Sequence, residues 1–183
     1  MSKVRAICIS EKKGTAKVQV PKAEFIEDFG IKGDAHAGKW HRQVSLLAFE
    51  KIEDFRADGG NVDFGAFGEN LVVDGIELNK LPIGQKIKIG EALLEVTQIG
   101  KKCHDKCAIY YQVGRCIMPA YGIFTKVLNG GEVIIAVSGR PVAKCLPLIS
   151  MLSSVNKGLA HPIFILTCSA VVSPIAKFIS LFT

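Results

Sequence analysis

Short runs of apolar or alternating residues, each closed by a glycine-bearing turn, recur along residues 1–137 and leave room for little but a β fold. Residues 4–9 and 16–20 read as a hairpin split by the polar turn Glu11-Lys-Lys-Gly14. Residues 44–47 form a short apolar run, and residues 71–73 another after Gly68-Glu-Asn70. Residues 85–89 alternate polar and apolar, Gly90-Glu91 turns the chain, and residues 93–99 return. Residues 122–128 and 132–137 make a further pair around Asn129-Gly-Gly131. Only residues 49–56, ended by Asp58-Gly-Gly60, read as a convincing early helix. Many short strands with few helices predict a mainly β chain, a closed or nearly closed β-barrel with a few short helices.

The length of 183 residues fits one domain with a substantial core. The net charge of +6 is uneven: residues 1–132 hold 19 of the 23 basic and all 17 acidic side chains, a net of +2. No basic run with interleaved aromatics appears, so the charge does not point to nucleic acid. Residues 141–183 contain no Asp or Glu and carry apolar blocks at 146–152 and 163–172. The sequence therefore divides into a β domain over 1–140 and an apolar tail over 141–183. The second block runs on toward membrane-spanning length but is interrupted by Pro174 and Lys177, so a buried or partner-covered segment is expected ahead of membrane contact.

Six cysteines follow an N-terminus in which Met1-Ser-Lys-Val-Arg5 leads straight into strand-like sequence, with no signal peptide, which predicts a cytoplasmic, reduced chain. Cys8, Cys145 and Cys168 stand inside apolar runs and read as small core residues. Cys103-His104-Asp105-Lys106-Cys107 instead leaves a strand through Gly100-Lys-Lys102. Nearby ammonium groups favour a thiolate, the form that attacks sulfur or binds metal. Zinc held by Cys103, His104, Cys107 and Cys116 is the rival, weakened by a Cys-x3-Cys spacing without a second knuckle.

A second constellation lies on the Gly-rich loop from Phe29 to Arg42, where His36, His41 and Arg42 suit an anion such as a phosphate. Glu69 and Asn70 follow another small-residue loop, Gly65-Ala-Phe-Gly68. Pairing of Arg42 with Asp34 or Glu69, simply to pin the loop, is equally consistent with the residues. No Walker-type loop, Gly-x-Gly-x-x-Gly, His-Glu-x-x-His or Gly-x-Ser-x-Gly pattern occurs.

Lys32-Gly-Asp-Ala-His-Ala-Gly38, Trp40-His-Arg-Gln-Val-Ser-Leu-Leu47, Phe67-Gly-Glu-Asn-Leu71, Leu81-Pro-Ile-Gly84, Glu95-Val-Thr-Gln-Ile-Gly-Lys-Lys-Cys103 and Met118-Pro-Ala-Tyr-Gly-Ile-Phe124 stand in this order. As a set they resemble a stand-alone bacterial MOSC domain, the module named for the C-terminal domain of molybdenum cofactor sulfurases, over about residues 3–135. The resemblance implies a β-barrel and a cysteine, after the long central strand, that carries sulfur or coordinates molybdenum of a bound pterin. It implies sulfur transfer to metal–sulfur centres or, with molybdenum cofactor bound, reduction of N-hydroxylated compounds.

Carried onto this chain, that cysteine is Cys103, with Cys107 as the rival and His104 or Lys102 tuning the thiol. The pterin phosphate would meet Arg42, His36, Lys101 and Lys102. A cysteine desulfurase or a molybdoenzyme would be the partner. Pyridoxal phosphate, which belongs to the desulfurase domain of larger relatives, is not expected here. The departure comes at the end, where Val133-Ile-Ile-Ala-Val137 runs into the apolar tail instead of a family-like closing strand.

Overall fold

The computed structural model describes residues 2–103, 106–135 and 163–166. His104, Cys145, Cys168 and the rest of the tail lie outside the described residues, and so do the expectations placed on them. The chain is mainly β with a few short helices. In order it forms β1 (Lys3–Ile9), β2 (Val18–Val20), β3 (Lys22–Ile26), β4 (Gly30–Ile31), β5 (Val44–Ala48), α1 (Phe49–Ala57), β6 (Leu71–Asp74), a 3₁₀ turn (Leu78–Lys80), β7 (Lys86–Ile89), β8 (Ala92–Ile99), α2 (Ala108–Val113), α3 (Met118–Tyr121), β9 (Ile123–Asn129), β10 (Gly131–Ile134) and β11 (Ile163–Leu166).

The strands make an eight-stranded sheet in the order β11-β7-β8-β9-β5-β6-β1-β2 and a three-stranded sheet in the order β10-β3-β4. Among the described residues no pairing joins the two ends of the larger sheet, so the expected closure into one barrel is not present. Two hairpins stand where the alternation placed them. β1 and β2 pair with Ile7 opposite Val20, and β7 and β8 meet across Gly90-Glu91 with Ile89 opposite Ala92.

The pair read around Asn129-Gly-Gly131 is different, because β9 joins β8 and β5 while β10 joins β3. A side chain at Gly130 would press on the Phe25 carbonyl, and this close approach carries the chain from one sheet to the other. Ile135 N then donates to Pro21 O at 2.9 Å.

The period of two explains the core. In β5 every residue is buried: Val44, Leu46 and Ala48 face a cluster shared with Phe25, Ile31 and Val133 of the smaller sheet, while Leu47 faces Ile52 and Phe55 of α1. The same alternation splits β6, with Leu71 and Val73 on one side and Val72 on the other. α1 is the crossover of a parallel β5–β6 unit, so its buried Ile52 and Phe55 cover the second face of the sheet. No described helix is long and apolar enough to cross a membrane.

Candidate functional site

β8 is the longest strand, and its far end builds the site. The register slips between Val96 and Gln98 against β9, a bulge that frees Thr97 from the ladder. Thr97 Oγ1 reaches the His41 carbonyl and, at 3.0 Å, the Phe124 carbonyl. Beyond the bulge Gly100 holds φ at +66°, and its N–H donates to Gly122 O at 2.7 Å. A Cβ at Gly100 would collide with the Pro119 carbonyl. The strand exit carrying Lys101, Lys102 and Cys103 is thus pressed against α3 and the residue that ends it.

Between these walls lies a cleft of about 1040 Å³, lined among others by Lys101, Lys102, Cys103, Cys107 and Cys116. Cys103 and Cys107 are exposed and Cys116 is half-buried. Burial pushes the Cys116 thiol up, the neighbouring Cys103 and Cys107 add to the shift, and a backbone N–H at Met118 and the charge of Lys101 partly offset it. Of the cleft cations, Arg115 pairs with Asp58 and Lys106 lies over the Tyr110 ring at 4.8 Å. Lys101 and Lys102 pair with no carboxylate among the described residues. Nor, among them, do three His, Cys, Asp or Glu side chains gather as a metal would need, while His104 of the zinc set lies outside them.

Gly100→Ala is expected to destabilise the chain by about 1–3 kcal/mol, because the new Cβ meets backbone and the residue must keep a left-handed conformation. Comparing denaturant midpoints with the unsubstituted chain checks this, and an unchanged midpoint would show that the two walls are not held together here.

The Gly-rich loop meets this cleft at one side-chain contact, and His36, His41 and Arg42 are not among the residues that line it. His41 Nε2 lies 3.0 Å from Gln98 Oε1, and Gln98 lines the cleft. His36 Nδ1 lies 3.3 Å from the Lys17 ammonium. An ammonium can only donate, so Nδ1 accepts and the proton of a neutral ring sits on Nε2. Burial and the charge of Lys17 lower the His36 pKa, with further small contributions from Lys13 and Lys101, while Asp34 opposes them. His36 therefore offers an anion one neutral N–H donor near neutral pH, not the charged ring that would serve it best.

Arg42 takes neither of the partners considered from sequence. Its guanidinium lies 4.7 Å from the Trp40 ring centre and 5.6 Å from that of Phe124, and its buried Nε has no hydrogen-bond partner. Asp34 is bound instead by Lys17 Nζ at 2.5 Å, with the Ser10 N–H at 3.0 Å.

Glu69 and Asn70 are 0% and 2% exposed and do not line the cleft. Asn70 Nδ2 donates to the Cys8 carbonyl at 3.0 Å, and its Oδ1 accepts from Ser45 N at 3.1 Å, so it ties β1 to β5. Glu69 Oε1 accepts from Gly65 N at 2.7 Å, while its buried Oε2 has no partner. Burial pushes this carboxyl up to about 7, despite the Gly65, Glu69 and Phe67 N–H groups and the charge of Lys17. Sequence reasoning missed Lys17 altogether. Nothing in Ala16-Lys-Val-Gln-Val20 sets it apart from a solvated strand lysine, and its side chain is only 2% exposed.

Mainly β architecture, two thiols at the exit of the longest strand and a basic cleft define a class, and residues 33–134 match the MOSC domain family. The chain belongs to that family. Among solved structures it is similar in fold to the YuaD protein of Bacillus subtilis, at 21% identity and a TM-score of 0.61, covering 73% of this chain and 92% of that one. YiiM of Escherichia coli gives 21% identity and a TM-score of 0.51, covering 73% of this chain and 66% of that longer one. YiiM of Geobacillus stearothermophilus gives 17% identity and a TM-score of 0.54. No curated protein matches the chain significantly.

Proposed function

We propose that this chain is a sulfur carrier serving molybdenum cofactor or another metal–sulfur centre, with Cys103 as the residue that receives sulfur. The observation that carries the reading is the exposed Cys103 thiol at the mouth of a cleft whose Lys101 and Lys102 pair with no carboxylate among the described residues. A thiolate there attacks the outer sulfur of a donor persulfide, such as that of a cysteine desulfurase. The new bond joins Cys103 Sγ to the transferred sulfur, and the donor leaves as a thiolate. The two lysines stabilise the anionic product.

The residues present also fit a pterin cofactor. A buried guanidinium nitrogen without a partner, in a group that lies near two aromatic rings, suits a planar anionic ligand. Arg42, the Nε2–H of His36, Lys101 and Lys102 would hold its anionic end, and Cys103 would ligate its metal. When bound, the cofactor supplies a molybdenum centre to which sulfur is delivered.

Incubation with a cysteine desulfurase and cysteine, followed by cyanide treatment, tests this reading. The unsubstituted chain should yield about one labile sulfur, Cys103→Ala less than about a tenth of that, and Cys107→Ala an undiminished amount. Equal yields from the chain and Cys103→Ala would show that the sulfur is carried elsewhere.

A further inference from the structure

The cleft holds a third thiol for which sulfur capture gives no role. Cys116 lies in Arg115-Cys-Ile117, just ahead of α3, on the wall that the Gly100–Gly122 hydrogen bond and the Gly100–Pro119 contact hold against the exit of β8. Cys103 leaves the opposite wall three residues after Gly100. Both line the same cleft, and the Cys116 thiol feels the charge of Cys103. They differ in setting: Cys103 is exposed and Cys116 is half-buried.

We propose that Cys116 is the resolving thiol of this site, which discharges the sulfur held on Cys103 as hydrosulfide by forming a Cys103–Cys116 disulfide. This rests on the reading of Cys103 as the sulfur carrier. In the step, Cys116 Sγ attacks Cys103 Sγ, and the bond from Cys103 Sγ to the outer sulfur breaks. The departing sulfur takes the electron pair and, with the proton from Cys116, leaves as HS⁻. The two protein sulfurs are oxidised to the disulfide as the sulfane sulfur is reduced. A dithiol reductant, small or protein-borne, then restores both thiols by exchange.

The surroundings suit each stage. Cys103 is the exposed thiol and Cys116 the half-buried one, so the donor meets Cys103 first, and the Cys116 thiol brings the proton that the leaving sulfur needs. Lys101 lines the same cleft as both thiols, and its ammonium favours the anionic sulfur that forms as the bond breaks. Lys102 and Cys103 are exposed, so no core packing is broken when Cys103 turns toward Cys116.

The experiment loads the whole chain with sulfur from a cysteine desulfurase, removes donor and reductant, and follows both hydrosulfide release and peptide disulfides by mass spectrometry. The unsubstituted chain should release hydrosulfide while a Cys103–Cys116 disulfide accumulates in equal amount. Cys116→Ser should take up the same sulfur on Cys103 but release it at least about tenfold more slowly. Release by Cys116→Ser at the original rate, or a disulfide that maps to Cys107 instead, overturns the role of Cys116. Failure of the unsubstituted chain to take up sulfur on Cys103 overturns the carrier reading itself. The disulfide mapping needs no variant, so it decides the matter even if the serine substitution disturbs folding.

Discussion

Replacing Lys17 by methionine is expected to lower stability by about 3–5 kcal/mol, although the lysine is remote in sequence from Cys103 and Cys107, because it strands a buried charge. Lys17 Nζ lies 2.5 Å from Asp34 Oδ1, with side chains 2% and 0% exposed. Burial alone would raise the Asp34 carboxyl. The Lys17 hydrogen bond, the Ser10 N–H and the charge of Lys17 together hold it below its ordinary value. Without the ammonium that carboxylate must stay ionised in a low-dielectric setting or take up a proton, and both are costly. Methionine keeps most of the volume, so the loss is electrostatic in origin. Denaturant unfolding of Lys17→Met measures it, and adding Asp34→Asn should recover a large part. A loss under about 1 kcal/mol would mean that the pair is solvated, contrary to its burial. The substitution also frees His36 Nδ1, so its effect should extend to the Gly-rich loop.

The second large effect is a pH dependence that Glu69→Gln removes. An acid whose pKa rises on folding, here from 4.5 to about 7, binds more protons folded than unfolded between those limits. Stability from this group is therefore present at low pH and falls as pH rises through that window, by on the order of 3 kcal/mol. Above about 7 the slope vanishes. Other groups keep to other windows or signs. Asp34, held below 3.8, loses its contribution only in stronger acid, and Cys8, pushed up to about 12 by burial and by Glu69, stays a neutral thiol. His36, lowered from 6.5, acts in the opposite sense, with stability lost as pH falls below that value. The difference between the unsubstituted chain and Glu69→Gln isolates Glu69. The glutamine variant should match the unsubstituted chain near pH 5 and exceed its stability near pH 8. A constant difference at both pH values would show that Glu69 is ionised throughout.

What the sequence discloses follows the range of the interactions involved. The β7–β8 hairpin is legible because its alternation and its Gly90-Glu91 turn are local. α1 is legible from its apolar spacing and glycine stop. α2 is not, because Ile109, Tyr110, Tyr111 and Val113 favour strands when read alone, and the helix is only six residues long. β3 hides behind Pro21, and the partner of β10 lies more than a hundred residues earlier, a pairing that only the folded core selects. The open sheet order likewise depends on which strands meet.

The site divides in the same way. Lys101, Lys102, Cys103 and Cys107 come together because they are contiguous, so local reading finds them. Glu69 and Asn70 stand beside the same motif-rich stretches yet turn inward, since their strand-entry positions point at Ser45 and Gly65. Cys116 could be read only as one more sulfur ligand until the Gly100 contact set it across the cleft from Cys103. The residue types alone leave open whether Arg42 pins its loop through Asp34 or Glu69, and the folded chain leaves its Nε without a partner.

The central claim is that Cys103 carries sulfur, and peptide-resolved mass spectrometry of the chain after incubation with a cysteine desulfurase and cysteine tests it most directly. The account predicts the added mass of one sulfur on the peptide containing Cys103, sensitive to cyanide and absent from Cys103→Ala. Added sulfur on Cys107 alone, or neither added sulfur nor a Cys103–Cys116 disulfide while the desulfurase turns over, would contradict it.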